Sequence, residues 1–427
     1  MIPVQQRILH WPVWVLASVS WLGMLPSARG GEDWSLLEIE RDRILSKAAA
    51  HAGEPPRTVT DDVCPRSQGG PHDFFSEGDY WWPNPEDPNG KYIRRDGESN
   101  PDNFVAHRHS LVRLSDLIGT FASAFVLSGD EKYVREARKH LDAWFINEST
   151  RMNPSLLHGQ AIKGRYSGRS IGVIDTIHLV EVARGMKILE QSAAFPAAER
   201  EAIHDWFRSY LQWLNTHEYG LKEKHHPNNH GVCWSMQAAA FADLVGDEEV
   251  LAWVRNQFKT VYIASMMDRR GGFPAELQRT KPFGYSLFVI DAMATVAEIA
   301  STDSDDLWSF ELPDGRGMEL GVKFIYPSIR NKHDWPLPPD IQYWDEWPVR
   351  HTSLLWAGLH YDQPDYLATW QSLQADPTVF EVLRNLPVRH PLIWAPSKRR
   401  GNPQQSNRRL RHGWEFVRGD LGGIWEA

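Results

Sequence analysis

The sequence predicts a mainly α protein built from antiparallel helix pairs of the kind that close into an α/α toroid. Three observations predict it. From Asn103 to about Ala300, apolar residues recur at helical spacing. Helix junctions recur in nearly the same form, as Leu127-Ser128-Gly129-Asp130-Glu131 and Leu244-Val245-Gly246-Asp247-Glu248. Strand-like alternation is scarce until the last hundred residues. The chain has 427 residues, 42% hydrophobic and 24% charged, so it can bury a large core and is neither fibrous nor disordered.

Taken in order, residues 1–30 read as a signal peptide. Arg7 gives a positive start, Trp11 to Leu25 an apolar core, and Ala28-Arg29-Gly30 small residues around a cut. Pro12, Ser18, Ser20 and Gly23 interrupt that core, which falls short of the ~20 apolar residues a spanning helix needs. No later segment reads as a span, so the expectation is a protein exported to the periplasm or secreted, with no membrane attachment after cleavage. Residues 31–427 then form one domain. Cys64 and Cys233 are the two cysteines, and export permits a bridge without requiring one. Residues 64–103 form a long loop rich in Pro, Gly, Asn and Asp that also carries Phe74, Phe75, Tyr80, Trp81, Trp82 and Tyr92. Such a loop must pack its aromatic surface or use it.

The helical stripes follow. Tyr133, Val134, Ala137, Leu141, Trp144 and Phe145 share one face between Asp130 and Asn147, and Val250, Leu251, Val254, Phe258, Val261 and Tyr262 share another. At each repeated junction a glycine can end one helix in the left-handed conformation and an aspartate can cap the next. His360-Tyr361-Asp362-Gln363-Pro364-Asp365 reads as a degenerate third copy. Residues from about 310 to 427 either complete the toroid or add a small β-containing part. Their basic stretch from Ser397 to Gly413 is assigned no function.

Charge narrows the partners. The formal charge is −9, and loss of residues 1–30, which hold Arg7 and Arg29 and no acid, takes it to −11. That argues against a nucleic-acid partner. An anionic ligand would need a locally basic cleft against the overall field.

Three strings can carry chemistry. His225-His226-Pro227-Asn228-Asn229-His230-Gly231 stands directly before a helical run, where exposed backbone N–H groups favour negative charge. An Asn-His pair there suits a reaction that holds an anion and moves a proton. A metal site through His226 and His230, or plain capping by Asn228 or Asn229, are the alternatives. Pro227 and the want of an acidic neighbour weaken the metal. The second string runs from Pro274 through Glu276, Arg279 and Lys281 to Phe283-Gly284-Tyr285-Ser286, around a Pro/Gly turn before a new helix. Alone, Arg279 paired with Glu276 would be unremarkable. The third, Lys163-Gly164-Arg165-Tyr166-Ser167-Gly168-Arg169, fits no phosphate-binding fingerprint, and Tyr166 or Arg169 could contact a sugar carboxylate.

These residues resemble the alginate-lyase-like polysaccharide lyases with an α/α toroid, from about Asp79 to Ser301. The resemblance rests on Tyr80-Trp81-Trp82-Pro83-Asn84-Pro85, Tyr92-Ile93-Arg94-Arg95-Asp96-Gly97, Asn228-Asn229-His230-Gly231, and Glu276 through Arg279 followed by Tyr285-Ser286. It implies that Asn229 and Arg279 neutralise a substrate carboxylate, that His230 is a base or auxiliary neutraliser, and that Tyr285 donates a proton. Phe283-Gly284 precede Tyr285 where the best-known alginate lyases carry a His-Tyr-His setting, so glucuronan stands beside mannuronan as substrate.

The expected activity is β-elimination in a β-1,4-linked polyuronate, with no metal or organic cofactor. Tyr285 serves as both base and acid, its phenol brought down by Arg279 and His230. Tyr80, Trp81, Trp82, Tyr166, Arg169, Asn228 and Lys281 are the expected substrate contacts. Two rivals remain: an inverting glycoside hydrolase using Asp345, Glu346 or Asp175, and a non-catalytic polyuronate-binding protein.

Overall fold

The computed structural model describes residues 34–394, so the signal-peptide segment 1–30 and the basic stretch Ser397–Gly413 lie outside the described residues. Fourteen α-helices are defined within them. In chain order they are α1 (Leu36–His51), α2 (Ala106–Ser128), α3 (Lys132–Leu141), α4 (Leu179–Leu189), α5 (Ala197–Thr216), α6 (Glu218–Lys224) and α7 (Asn229–Val245). Then follow α8 (Glu248–Gln257), α9 (Pro274–Leu277), α10 (Pro282–Ala300), α11 (Met318–Arg330), α12 (Thr352–His360), α13 (Pro364–Ser372) and α14 (Phe380–Arg384). Helices α2, α4, α7, α10 and α12 pack successively on one another as an inner layer, with α3 against α2, α5 and α8 against α7, α11 against α10 and α13 against α12 on the outside. This is the α/α toroid the repeated junctions predict.

Layering explains the composition of the helices. An inner helix is covered on both sides, so it is apolar nearly all round; α10 buries almost every residue from Pro282 to Ala300. Helices α2 and α10 are long and apolar enough to cross a bilayer by length and composition, contrary to the sequence expectation. Their burial, 78% and 83% of the most apolar windows, accounts for that composition through the core. Outer α3 keeps a single stripe of Tyr133, Val134, Ala137 and Leu141.

Both junction glycines end their helices as expected, but of the two aspartates only Asp247 is a helix cap; before α3 Glu131 holds the cap position without a side-chain bond, and Asp130 accepts from Lys132 N–H at 2.9 Å instead. Gly129 and Gly246 end α2 and α7 at φ +67° and +77°, a region open to glycine without steric cost, and their N–H groups donate to Phe125 and Ala242 carbonyls. Asp247 accepts from Val250 N to cap α8. In the third copy Asp362 takes the left-handed place at φ +52°. The stripes at 130–147 and 250–262 both run on past their α-helices into π-helical turns, Asp142–Ile146 and Phe258–Met266.

Strands are few and lie at the N-terminal side of the chain. β1 (Phe75–Glu77) pairs in parallel with β4 (His158–Ala161), and β2 (Trp81–Trp82) pairs antiparallel with β3 (Ile93–Arg94). Between residues 301 and 394 there are helices and one isolated bridge, Glu311 to Gly317, so this part adds no sheet. Cys64 and Cys233 are both buried and free; Cys64 packs with Phe75 and Ala161.

Candidate active site

The site is assembled where α7 and α10 begin. The first N–H groups of a helix lack intrahelical partners. At α7 Asn228 supplies one acceptor, its side chain taking His230 N–H at 3.0 Å. Glu276, wholly buried on α9, supplies another by accepting the Asn229 backbone N–H at 2.8 Å and the Asn229 side-chain Nδ2 at 2.9 Å. His230 presents Nδ1 to the buried Glu223 of α6 at 2.5 Å, and its ring lies 5.0 Å from that of His226. A cavity of about 450 Å³ opens beside Glu276, lined by His225, His226, Gln257, Ser265 and Phe273 among others.

Tyr285 sits in the first turn of α10. Asp340 accepts from Phe283 N–H and Gly284 N–H at 2.8 and 2.9 Å, closing that helix start. A Cβ on Gly284 would meet Asp340 Oδ2 at 2.9 Å and Trp347 Nε1 at 3.2 Å, so the Phe-Gly sequence before the tyrosine follows from how this helix is capped. The Tyr285 hydroxyl lies 2.6 Å from that of Tyr80 and receives Arg279 Nη2–H at 3.4 Å. The Arg279 guanidinium also covers the Tyr285 ring at 4.5 Å.

Each neighbouring charge is held from elsewhere in the chain. Asp96 accepts from Arg279 Nη2 and Nε at 3.0 and 3.2 Å. Arg384 of α14 donates to the Tyr80 hydroxyl at 3.1 Å and to Asp79 at 2.8 Å, and Asp79 also receives a two-pronged pair from buried Arg108. Burial works against ionisation of Asp79, yet Arg108 and Arg384 hold its carboxyl well below the usual range. Burial pushes the Tyr285 phenol well above its ordinary value, Tyr80 adds to that, and Arg279 and Arg384 oppose it. The expected lowering of the phenol is therefore reversed: Arg279 acts in the expected direction, but desolvation outweighs it.

The remaining sequence candidates fall in several environments. Lys281 is buried, with its ammonium paired to Glu381 and lying 5.0, 5.4 and 5.7 Å from the ring centres of Tyr80, Tyr343 and Tyr285. Asn228 serves as the α7 cap. Trp81 carries Arg165 and Arg169 over its ring at 5.3 and 5.9 Å, and Trp82 carries Arg95 at 4.9 Å. Arg169 donates to Gln160, and burial lowers its guanidinium to about 10. Tyr166 is 59% exposed. Sequence reasoning missed Asp79, Glu223 and Arg384 altogether. The bland alternative, a side-chain pair of Arg279 with Glu276, is not what forms: Asp96 takes that part. Asp96 and Glu276 both stand inside strings already singled out, which was the available signal.

The hydrolase alternative requires two carboxyl groups left to act as acid and base. Asp345 is almost fully exposed, at 96%, while Asp175 is enclosed by Ser76 and Gln160 Nε2. In the cluster itself Asp79, Asp96, Glu223, Glu276 and Glu381 are all engaged by cations, amides or an imidazole. A helical toroid that commits its acids in this way and gathers an amide, a guanidinium and a phenol is that of a polysaccharide lyase. The alginate lyase family pattern matches residues 58–335. An alginate lyase from Bacteroides ovatus is 30% identical with a TM-score of 0.74, over 84% of this chain and 93% of that one. Alginate lyase A1-III from Sphingomonas species A1 has the same fold at 16% identity and a TM-score of 0.52, over 83% and 94% of the two chains. A variant of A1-III complexed with a tetrasaccharide matches at 15% and 0.53 over the same shares. No curated protein sequence matches the chain. The chain belongs to the alginate lyase family.

Proposed function

We propose that this protein cleaves a β-1,4-linked polyuronate, mannuronan or glucuronan, by β-elimination at the Asn229, His230, Arg279 and Tyr285 cluster, after export to the periplasm or beyond. The hydrogen on C5 of a uronate is barely acidic because its removal places a second negative charge beside the carboxylate. Lowering that charge is the main catalytic task. Arg279 offers its guanidinium and Asn229 its amide to the carboxylate, and His230, backed by Glu223, adds a further donor.

Tyr285 then takes the C5 proton. The C5–H electron pair forms the C4=C5 double bond, the C4–O4 bond breaks, and O4 leaves with a proton returned by the same phenol in a syn elimination. Because burial keeps the Tyr285 phenol protonated at rest, its charge must be borne as it ionises. The hydroxyl of Tyr80 at 2.6 Å, touched in turn by Arg384, lets one negative charge be shared over two phenols between two guanidinium groups. The observation that carries the reading is continuity. Asn229 is bonded to Glu276, the Arg279 N–H donates to the Glu276 carbonyl at 3.1 Å, and Arg279 reaches Tyr285. Trp81, Trp82, Tyr166 and Arg169 are proposed to contact more distant sugars.

A panel of mannuronan, guluronan, glucuronan and heparin-like polymers tests this. New ultraviolet absorbance from unsaturated ends is expected on mannuronan or glucuronan, with product masses that contain no added water. Products heavier by one water per cut would identify a hydrolase, and binding without cleavage would leave the non-catalytic alternative.

A further inference from the structure

Glu276 is fully buried, and nothing in the elimination itself calls for a carboxylate at that place. A buried carboxyl group is tolerated only when hydrogen-bonded. Here both oxygens serve a single residue: Oε1 accepts the Asn229 backbone N–H and Oε2 accepts Asn229 Nδ2–H. Asn229 Oδ1 is buried with no hydrogen-bond partner. Burial prevails and leaves the Glu276 carboxyl above its ordinary value, while the Asn229 N–H groups, Arg279 and His230 act the other way and favour its ionised form.

An ionised carboxylate accepts hydrogen bonds and cannot donate them. The amide nitrogen of Asn229, not its oxygen, must therefore face Glu276. A half-turn about the Cβ–Cγ bond would exchange the two amide ends with almost no change of shape, so packing alone cannot choose between them. We propose that Glu276 is a positioning residue that sets the sense of the Asn229 amide, and so the order of donor and acceptor that meets the uronate. This rests on the role proposed for Asn229 above. With the sense fixed, one N–H and the unpartnered Oδ1 remain for the sugar. With it reversed, donor and acceptor exchange places and the carboxyl group meets the wrong polarity.

Glu276→Gln separates this role from a structural one. Glutamine has the same shape, but while its Oε1 keeps the Asn229 backbone N–H its Nε2 must donate, and only the Asn229 amide oxygen can receive it. Both contacts survive and the amide is turned over. The expected result is a melting temperature within about 2 °C of the native protein, a fall in kcat of about 100-fold, and KM within about threefold, as for loss of one oriented donor. In an Asn229→Ala background the same change should cost nothing further, because no amide is left to turn. A Glu276→Gln enzyme with native kcat overturns the proposal, as does an equal loss in the Asn229→Ala background. If Asn229→Ala itself keeps the native rate, the substrate role of Asn229 fails and takes this proposal with it.

Discussion

Asp96→Asn is the perturbation that asks most of the site. Asp96 lies in the aromatic loop, 183 residues from Arg279, and holds that guanidinium by its Nε and Nη2 edge at 3.2 and 3.0 Å. Arg94 and Thr280 hold Asp96 in turn, at 2.6 and 3.1 Å. The pair is about a quarter exposed, at 23% for Arg279 and 26% for Asp96. Solvent therefore weakens it well below a buried pair, and a charge-assisted bond worth about 1.5–3 kcal/mol in general should count for about 1.5 kcal/mol here. Asparagine keeps the shape and one acceptor but loses the charge and the second acceptor. Arg279 then swings, and about 1.4 kcal/mol of misplaced guanidinium corresponds to roughly a tenfold loss in kcat/KM. Initial rates on mannuronan or glucuronan, followed by ultraviolet absorbance, should show that loss with a melting temperature lowered by about 2 °C. A rise in kcat/KM would refute the reasoning, because it would mean that Asp96 competes with the substrate for Arg279 rather than holding it in place.

Tyr285→Phe should lower kcat by at least about 10⁴, since general acid and base roles are each worth 10²–10⁴, while Tyr80 keeps Arg384 and the fold holds. More than a tenth of native activity would remove the tyrosine assignment. The raised Tyr285 phenol gives a pH signature: the rate on a fixed polymer should climb as pH rises toward about 10, where the base form grows. Its folded value lies above the unfolded one, so its contribution to stability is whole below about pH 10 and is lost as pH rises through the folded value. Activity and melting temperature should therefore diverge at high pH, and a flat rate between about pH 7 and 10 would contradict the assignment. Glu223→Gln removes the charge behind His230 Nδ1 and should lower kcat by roughly 10- to 100-fold with little change in KM; an unaltered kcat would mean that His230 carries no charge in the reaction.

How much of this the sequence could disclose depends on the range of each interaction. Helices were legible because burial on one face imposes a 3.6-residue period, and the junction glycines because positive φ is cheap for few other residues. The π-helical turns after α3 and α8 were not, since a handful of residues cannot distinguish bonds to the fourth residue from bonds to the fifth. Asn229, His230, Arg279 and Tyr285 stood out as unusual types in compact strings. Their carboxylate partners did not, because in a chain with 55 acidic residues any one Asp or Glu is unremarkable until the fold brings it to a cation. Glu223 stands seven residues from its partner and Asp79 is 305 from Arg384. The spacing 276 to 279 suggested a local ion pair. Instead each member bonds to another part of the chain, since Glu276 caps α7 and Asp96 is better placed for Arg279.

A chain of net negative charge that takes a polyanion was expected to present a basic cleft. The cluster does something different. Arg108, Arg279, Lys281 and Arg384 would repel one another if left bare in a desolvated place, and each is instead set against a carboxylate from another segment. Pairing fixes the cations without spending all their donors. Among the described residues Arg279 Nη1 has no hydrogen-bond partner, so a uronate can be added beside Asp96 rather than in exchange for it. On the proposed role of Arg279, neutralisation comes from oriented donors at short range, which ions in solution screen weakly, and not from a long-range field. The consequence separates the two kinetic constants. Salt should raise KM by weakening the approach of the polymer, while kcat changes less than about twofold between roughly 50 and 300 mM. A kcat that falls tenfold over that range would mean that the site works by its overall field after all, and that the paired cations are incidental.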